Sequence, residues 1–296
     1  MRWRPSSQSQ IEDRRGSGGF GGGGLGGLGM GGGGGGIPIP VGGGLGGIVI
    51  VIIIFIVMQF LGGSGLGTGS GSGTTGSLDP KDEMGQFVNA VTVDVQTFWD
   101  QEFADSGKSY SNTVTVLFTN GTQTGCGAAS SATGPFYCPA DKKVYLDPGF
   151  FDELTTRFGA KGDFARAYVI AHEYGHHVQD LLGTMDQVQQ QQTSSNANEL
   201  SIRLELQADC FAGMWANWVM AHPDQSDVES ITDQDVTDGL NAAAAVGDDR
   251  IQEQATGTID KESWTHGSAE QRMKWFNTGF KQGSLRACDT FGVSSP

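Results

Sequence analysis

The sequence predicts a helix-rich α+β domain with a small β-sheet, preceded by one transmembrane helix. Three observations predict it. Short alternating stretches of β-branched and aromatic residues cluster at 113–147, helical apolar spacing dominates from 148 onward, and an uncharged apolar block interrupts a glycine-rich leader. Across the 296 residues, 16–76 is dominated by glycine, with serine, threonine and the apolar block, whereas the composition from Asp79 onward is globular. The chain therefore divides into a low-complexity leader (1–36), a membrane anchor (37–62), a flexible Gly/Ser/Thr linker (63–78) and one folded domain (79–296) long enough to bury a core.

The apolar block, "IPIPVGGGLGGIVIVIIIFIVMQFLGG", covers 37–63 without a charge, and its densest part, 48–61, has one polar residue, Gln59. At about 1.5 Å per residue that dense part is shorter than a hydrocarbon core of about 30 Å, and the uncharged flank 41–47 completes the span. A cleaved signal peptide is the main competitor. It fits less well, because 36 residues precede the block and no A-x-A-like site follows it. Residues 1–78 carry Arg2, Arg4, Arg14 and Arg15 against Glu12 and Asp13, a net +2, and the first basic residue after the block is Lys81. The positive-inside rule then expects the leader in the cytoplasm and the domain outside it. The domain has 14 Lys/Arg against 31 Asp/Glu, a net −17, which makes it soluble and a poor partner for nucleic acid.

Within the domain, Phe87, Val91, Val95, Phe98 and Trp99 recur at helical spacing over 86–103. "TVTVLFT" at 113–119 alternates as a strand, and "GPFYCP" (134–139) and "KKVYLD" (142–147) form two more strands around a turn at 139–141. A short helix is expected at 148–158 and a long one at 164–182, stopped by Gly183. Further helices are expected at 196–220, ending before His222-Pro223, at 233–245 and at 268–280. Ser268 and Gln271 make a capping box for the last of these. The four cysteines all fall in the domain, an even number that suggests two disulfides in an oxidising compartment. Of three possible pairings we prefer Cys126–Cys138, which closes a short loop, and Cys210–Cys288, which ties a helix to the C-terminal tail. The cysteines show no C-x-x-C spacing of the kind a zinc site uses.

Three of the five histidines fall within 172–177, in "HEYGHH". The pattern H-E-x-x-H at 172–176 is expected by chance about 0.003 times in a chain of this composition. On a helix, His172 and His176 lie one above the other and point at one ion, and Glu173 stands on the adjacent flank, where it reaches a bound water. Zinc takes such imidazole nitrogens, and a catalytic site needs a third ligand. His177 points about 100° away around the helix, which makes it an awkward ligand and places it behind a ligand or at the surface. His222 reads as a helix cap or surface group, and Glu199 as an ordinary partner of Arg203 at i+4. In "ELQAD", Glu205 and Asp209 stand at i and i+4 among apolar residues. One can bind the ion while the other accepts the ring N–H of a ligand histidine. Spacing alone leaves open which does which.

"HEYGHHVQ", "ELQADCFAGMWA" and "THGSAEQR", in that order after "GPFYCPADKKVYLD", resemble the bacterial putative neutral zinc metallopeptidase family over the whole of 79–296. The leader, with "EDRRG", a glycine run and one apolar span, resembles it too. More distantly the pattern is similar to gluzincin-type zincins, which join H-E-x-x-H to a downstream E-x-x-x-D. The resemblance implies a zincin-like fold with one Zn²⁺ per chain on His172, His176 and Glu205. It also implies Glu173 as catalytic base and Asp209 as the carboxylate behind a ligand. In related zincins a histidine or tyrosine donates a hydrogen bond to the developing oxyanion. His266 is the candidate, its alternative being a structural anchor for the helix that follows. Arg272 is expected to pair with a helix carboxylate. The expected function is peptide-bond hydrolysis at the outer face of a bacterial inner membrane. The strand at "GPFYC" would offer backbone groups to an extended peptide. The alternatives are a zinc-binding interaction or envelope-assembly module without turnover, and a hydrolase of another bond. Glu173 argues against the module, which has no use for a base there.

Overall fold

The computed structural model describes residues 1–16, 78–157 and 159–296. In chain order the elements are β1 (Ile11–Asp13), α1 (Glu83–Asp105), β2 (Thr115–Leu117), β3 (Gly121–Thr124), β4 (Gly127–Ser130), β5 (Phe136–Cys138) and β6 (Lys143–Leu146). They continue with α2 (Gly149–Thr156), α3 (Asp163–Leu181), α4 (Thr184–Gln191), α5 (Ala197–Ala221), α6 (Asp233–Ala245), α7 (Asp248–Thr256) and α8 (Ala269–Gln282). This is the expected helix-rich α+β architecture. The main sheet has the order β1-β2-β6-β5, parallel except for β5, and β3 and β4 form a separate hairpin.

The expected helices form within a few residues of their expected bounds. Asp82 caps α1 by accepting the N–H of Gly85 at 3.0 Å, and the Ser268/Gln271 capping box starts α8. After α3, Gly183 takes the left-handed conformation (φ 76°) that ends the turn. Helices α4 and α7 and the β3–β4 hairpin were not anticipated. They carry few apolar residues, so no periodicity announces them. Both preferred disulfides form, Cys126–Cys138 and Cys210–Cys288.

Helix α3 runs through the middle of the domain, packed on α1, α5, α6 and the β5–β6 edge of the sheet. Two close approaches fix it and its neighbours. A Cβ on Gly175 would stand 3.0 Å from the Ala208 Cα, so α3 and α5 meet nearly backbone to backbone at the centre of the histidine motif. A Cβ on Gly279 would meet the Cys210 carbonyl oxygen at 1.8 Å, and one on Gly213 the Phe276 oxygen at 2.0 Å, so α5 and α8 are pressed together in the same way. The core around them is aromatic, with Trp99, Phe164, Tyr168, Phe211, Trp215 and Phe276 all buried.

The leader departs from expectation. Residues 1–15 do not stand apart from the domain. They cross its surface, and Ile11–Asp13 supplies the outer strand of the main sheet, in parallel register Ile11↔Thr115 to Asp13↔Leu117. Ile11 is 1% exposed and belongs to the core. The boundary at 36 rests on composition, and a short polar strand has no compositional signature. The transmembrane helix expected at 37–62 lies outside the described residues. No described helix is long and apolar enough to cross a membrane.

Candidate metal centre

His172 and His176 project from the same face of α3, as i and i+4 require, with ring centroids 4.9 Å apart and planes at 90°. Glu205, on α5, closes the triangle. Its Oε2 lies 3.2 Å from His172 Nε2 and its Oε1 3.4 Å from His176 Nε2. One ligand atom from each residue falls within 4.8 Å of the others, in a site that is almost wholly buried. Glu205, not Asp209, is the carboxylate that faces both rings.

The far side of each ring is held by an acceptor. Asp209 Oδ1 lies 2.8 Å from His172 Nδ1. A carboxylate only accepts, so Nδ1 carries a proton, and Nε2, which faces Glu205 at 3.2 Å, is the atom where a metal ion would take a proton's place. His176 Nδ1 lies 2.8 Å from Gln179 Oε1. The amide's orientation is dictated by its other end: Nε2 donates to the Leu204 carbonyl at 2.7 Å and to Gln207 Oε1 at 3.1 Å. Oxygen must therefore face His176, and again Nδ1 is the donor and Nε2 the free ligand atom. Gln207 in turn donates to the Cys288 carbonyl at 3.0 Å, beside the Cys210–Cys288 bridge.

Asp209 is fully buried and its charge is met by Arg272, whose Nε donates to Oδ2 at 2.8 Å and whose Nη2 donates to Oδ1 at 2.9 Å. Tyr168 also donates to Oδ1, and Arg272 Nη2 donates to the Tyr168 hydroxyl at 3.1 Å. Burial works against the Asp209 charge, but Arg272 and His172 outweigh it and hold its carboxyl below the usual range. Burial likewise opposes the Glu205 charge, and His176 and His172 overcome it, keeping Glu205 well below its ordinary value. On His172 burial disfavours a proton, yet Asp209 and Glu205 push its pKa up to about 10. The field that favours a proton there favours a divalent cation among the same atoms.

Glu173 sits next to the triangle, 8% exposed. Burial raises its pKa, against the opposing pull of His172 and His176. Its carboxylate makes no hydrogen bond to another described residue. His266 lies in the loop before α8, outside the three-ligand cluster, with its Nδ1 3.1 Å from Asp248 Oδ1. The other Asp248 oxygen accepts the backbone N–H groups of Thr265, His266 and Gly267 at 2.7, 2.7 and 3.1 Å, so one carboxylate sets both loop and ring. Burial lowers the His266 pKa, but Asp248 more than offsets it and raises it above the usual value, and the field of Glu205 reaches it as well.

The remaining histidines stand elsewhere. His177 is 1% exposed and turned to the sheet, where Nε2 donates to the Ser111 carbonyl at 2.7 Å and Nδ1 faces the Tyr137 hydroxyl at 3.1 Å. It is a structural group in the interior, neither behind a ligand nor at the surface. His222 caps α5 through the Trp218 carbonyl, and Glu199 pairs with Arg203, both as expected. Sequence reasoning missed Tyr168, Gln179 and Asp248. Gln179 had a signal, since it lies three residues after His176 and so on the same helix face. Asp248 had none, because only the tertiary fold brings α7 to the loop.

The donor set fits zinc: two imidazole nitrogens and one carboxylate oxygen, buried, with both histidines orientated from behind. Comparison with known proteins agrees. Residues 1–291 match the family model described as "Putative neutral zinc metallopeptidase". The chain is 45% identical over 225 residues to "Uncharacterized protein YpfJ" of Escherichia coli (strain K12), covering 75% of this chain and 76% of the relative. It is 51% identical over 183 residues to "Uncharacterized protein Mb2605" of Mycobacterium bovis, covering 60% of this chain and 62% of the relative. "Uncharacterized protein Rv2575" of Mycobacterium tuberculosis matches equally, at 51% over 183 residues. No solved structure matches the chain.

Proposed function

Because this chain belongs to the putative neutral zinc metallopeptidase family, we propose that it is a zinc-dependent peptidase that hydrolyses peptide bonds with Glu173 as general base. His172, His176 and Glu205 hold one zinc ion. Bound there, zinc would supply a Lewis acid for the scissile carbonyl and an acidified water as nucleophile. Glu173 takes the proton of the attacking water and hands it to the leaving amine. A pKa raised by burial brings it closer to the value such a shuttle needs. His266, steadied by Asp248, donates a hydrogen bond to the oxygen of the tetrahedral intermediate. Asp209 and Gln179 keep each ligand ring in its working tautomer.

The observation that carries this reading is Glu173 itself. Its carboxylate makes no hydrogen bond to another described residue, and its oxygens are not sealed from solvent, so it is available to take a proton from a water at the site. It lies beside two metal-ligating histidines, where water activation gives it a use that a zinc-binding module without turnover would lack. The substrate class is an unfolded or extended peptide. β5, an outer strand of the main sheet packed on α3, supports that choice. The two disulfides support an oxidising compartment, hence a place outside the cytoplasm.

The test is Glu173→Gln in the full chain, with zinc content measured beside cleavage of a mixed peptide pool read by mass spectrometry. Zinc should stay at the wild-type level while turnover falls by about 10²–10⁴. Unchanged turnover in the variant would refute Glu173 as base. Zinc binding without cleavage in the wild type would favour the non-catalytic module.

A further inference from the structure

We propose that residues 1–15 are a built-in strand arm of the catalytic domain, so that they and residues 78–296 lie on one side of any membrane the chain meets. The inference is independent of the zinc chemistry. It corrects the single-pass topology that the sequence alone suggests.

The arm is bound along its whole length. Arg2 and Ser230 form an antiparallel bridge, with Arg2 N donating to Ser230 O at 3.0 Å, and Arg4 N donates to Asp227 O at 3.0 Å. Trp3 packs edge-on against Phe87, with centroids 5.5 Å apart. Asn89 grips the middle of the arm through both ends of its amide, donating to Gln8 O at 2.7 Å and accepting from Gln10 N at 3.0 Å. β1 then pairs with β2, extended by Thr115 N to Gln10 O at 3.0 Å and Arg14 N to Leu117 O at 2.8 Å. Glu12, 6% exposed, is charge-paired with Lys143 at 2.6 Å and with Arg14 at 2.7 Å. Burial opposes its charge, but the two cations outweigh that and lower its pKa.

The four arginines are what the positive-inside argument counted as free topogenic charge. In the structure each is engaged by the acidic domain or within the arm: Arg2 with Ser230 Oγ, Arg4 with Asp227, Arg14 with Glu12, and Arg15 with Asp13 and Asp82. The last contact matters most for topology. Arg15 ends the arm, and Asp82 caps the first helix after Leu78, so the two ends of 16–77 are pinned to one place. A chain that leaves and returns on one side crosses a bilayer an even number of times. Even if wholly helical, an uncharged stretch of the length of 37–63 would reach about 40 Å at 1.5 Å per residue, enough for one span of about 30 Å and not for two. A docked arm and a single-pass anchor therefore exclude each other.

Two measurements on the full chain in its own cells test this. Ser7→Cys on the exposed arm and Lys281→Cys on the exposed end of α8, in separate variants, are probed with a membrane-impermeant maleimide before and after lysis. Arg2→Cys with Ser230→Cys, at bridged positions, is probed for an added disulfide. Expected are the same accessibility for both single cysteines and formation of the Arg2–Ser230 cross-link. A Ser7→Cys label that needs lysis while Lys281→Cys does not, or the reverse, overturns the proposal. So does equal accessibility without the cross-link, because the arm would then be undocked. Both native disulfides and cooperative thermal unfolding in each purified variant confirm that the domain has folded.

Discussion

Replacing Gln179 with leucine removes a side chain that touches neither metal nor substrate, yet the structure predicts a loss of metal affinity. Gln179 is 0% exposed, and its amide makes three hydrogen bonds: from His176 Nδ1 at 2.8 Å, to Leu204 O at 2.7 Å and to Gln207 Oε1 at 3.1 Å. Leucine fills most of the volume and makes none of them. His176 then keeps its place on α3 but has no acceptor for Nδ1–H, a cost of about 1–3 kcal/mol for a buried donor. That bond also fixes the tautomer, so the cost should appear in zinc binding, as a loss of about 10–100-fold. This corresponds to about 1.4–2.7 kcal/mol. Leu204 O and Gln207 Oε1 also lose their donor, so the metal-free fold weakens too, and two assays are needed. Chelator competition gives the zinc affinity, and thermal unfolding without zinc gives the stability. Gln207→Leu is the control, since Gln179 keeps its bonds to Leu204 and His176 there and affinity should change little. If Gln179→Leu destabilised the metal-free protein but bound zinc as tightly as wild type, the tautomer argument would be wrong and Gln179 merely structural.

His266→Phe should leave zinc content unchanged and lower kcat by about 10²–10³, the usual cost of one oxyanion donor. An unchanged kcat would make His266 an anchor for α8 only. Removing the Cys210–Cys288 bridge, which closes a separation of 78 residues, should destabilise the fold by roughly 4–5 kcal/mol. Removing Cys126–Cys138, with a separation of 12, should cost roughly 3 kcal/mol, and denaturant melts of the paired alanine variants would show that order or its reverse. Asp94 is buried beneath Trp215 Nε1, Ser226 and Val228 N, and burial pushes its pKa from the usual 3.8 up to about 6. A raised acid stabilises the fold most below pH 3.8 and contributes less as pH rises towards 6, by about 3 kcal/mol in all. The stability difference between wild type and Asp94→Asn should therefore change across that window and be flat above pH 7. A difference flat from pH 4 to 7 would refute the shift.

The three candidate ligands are legible because each depends on a local rule. His172 and His176 obey the helical repeat, and Glu205 stands in a recognisable E-x-x-x-D. Only the fold could rank Glu205 over Asp209, because facing both rings is a property of how α5 crosses α3 at Gly175 and Ala208. The groups behind the ligands divide the same way. Gln179 lies on the ligand face of α3, within reach of sequence reasoning. Arg272 pairs with a helix carboxylate as expected, although only the fold shows that it is Asp209, and Asp248 reaches His266 from α7 with no signal in the sequence. The arm was the largest miss. "SQIEDRRG" holds a single apolar residue, Ile11, and becomes a strand only because β2, Asn89 and Lys143 are there to pair with it. Its arginines read as a topogenic cluster in one dimension and as domain contacts in three. The β3–β4 hairpin, GTQT and GAAS, has too little alternation to announce itself.

The most direct test of the account is the zinc content of the purified full chain by elemental analysis, for wild type and for Glu205→Ala. The account predicts one zinc per chain in the wild type and its loss in a variant that still carries both disulfides and unfolds cooperatively. A folded, disulfide-intact wild type that takes up no zinc when it is supplied would contradict the metallopeptidase reading. A variant that keeps its zinc would take Glu205 out of the ligand set.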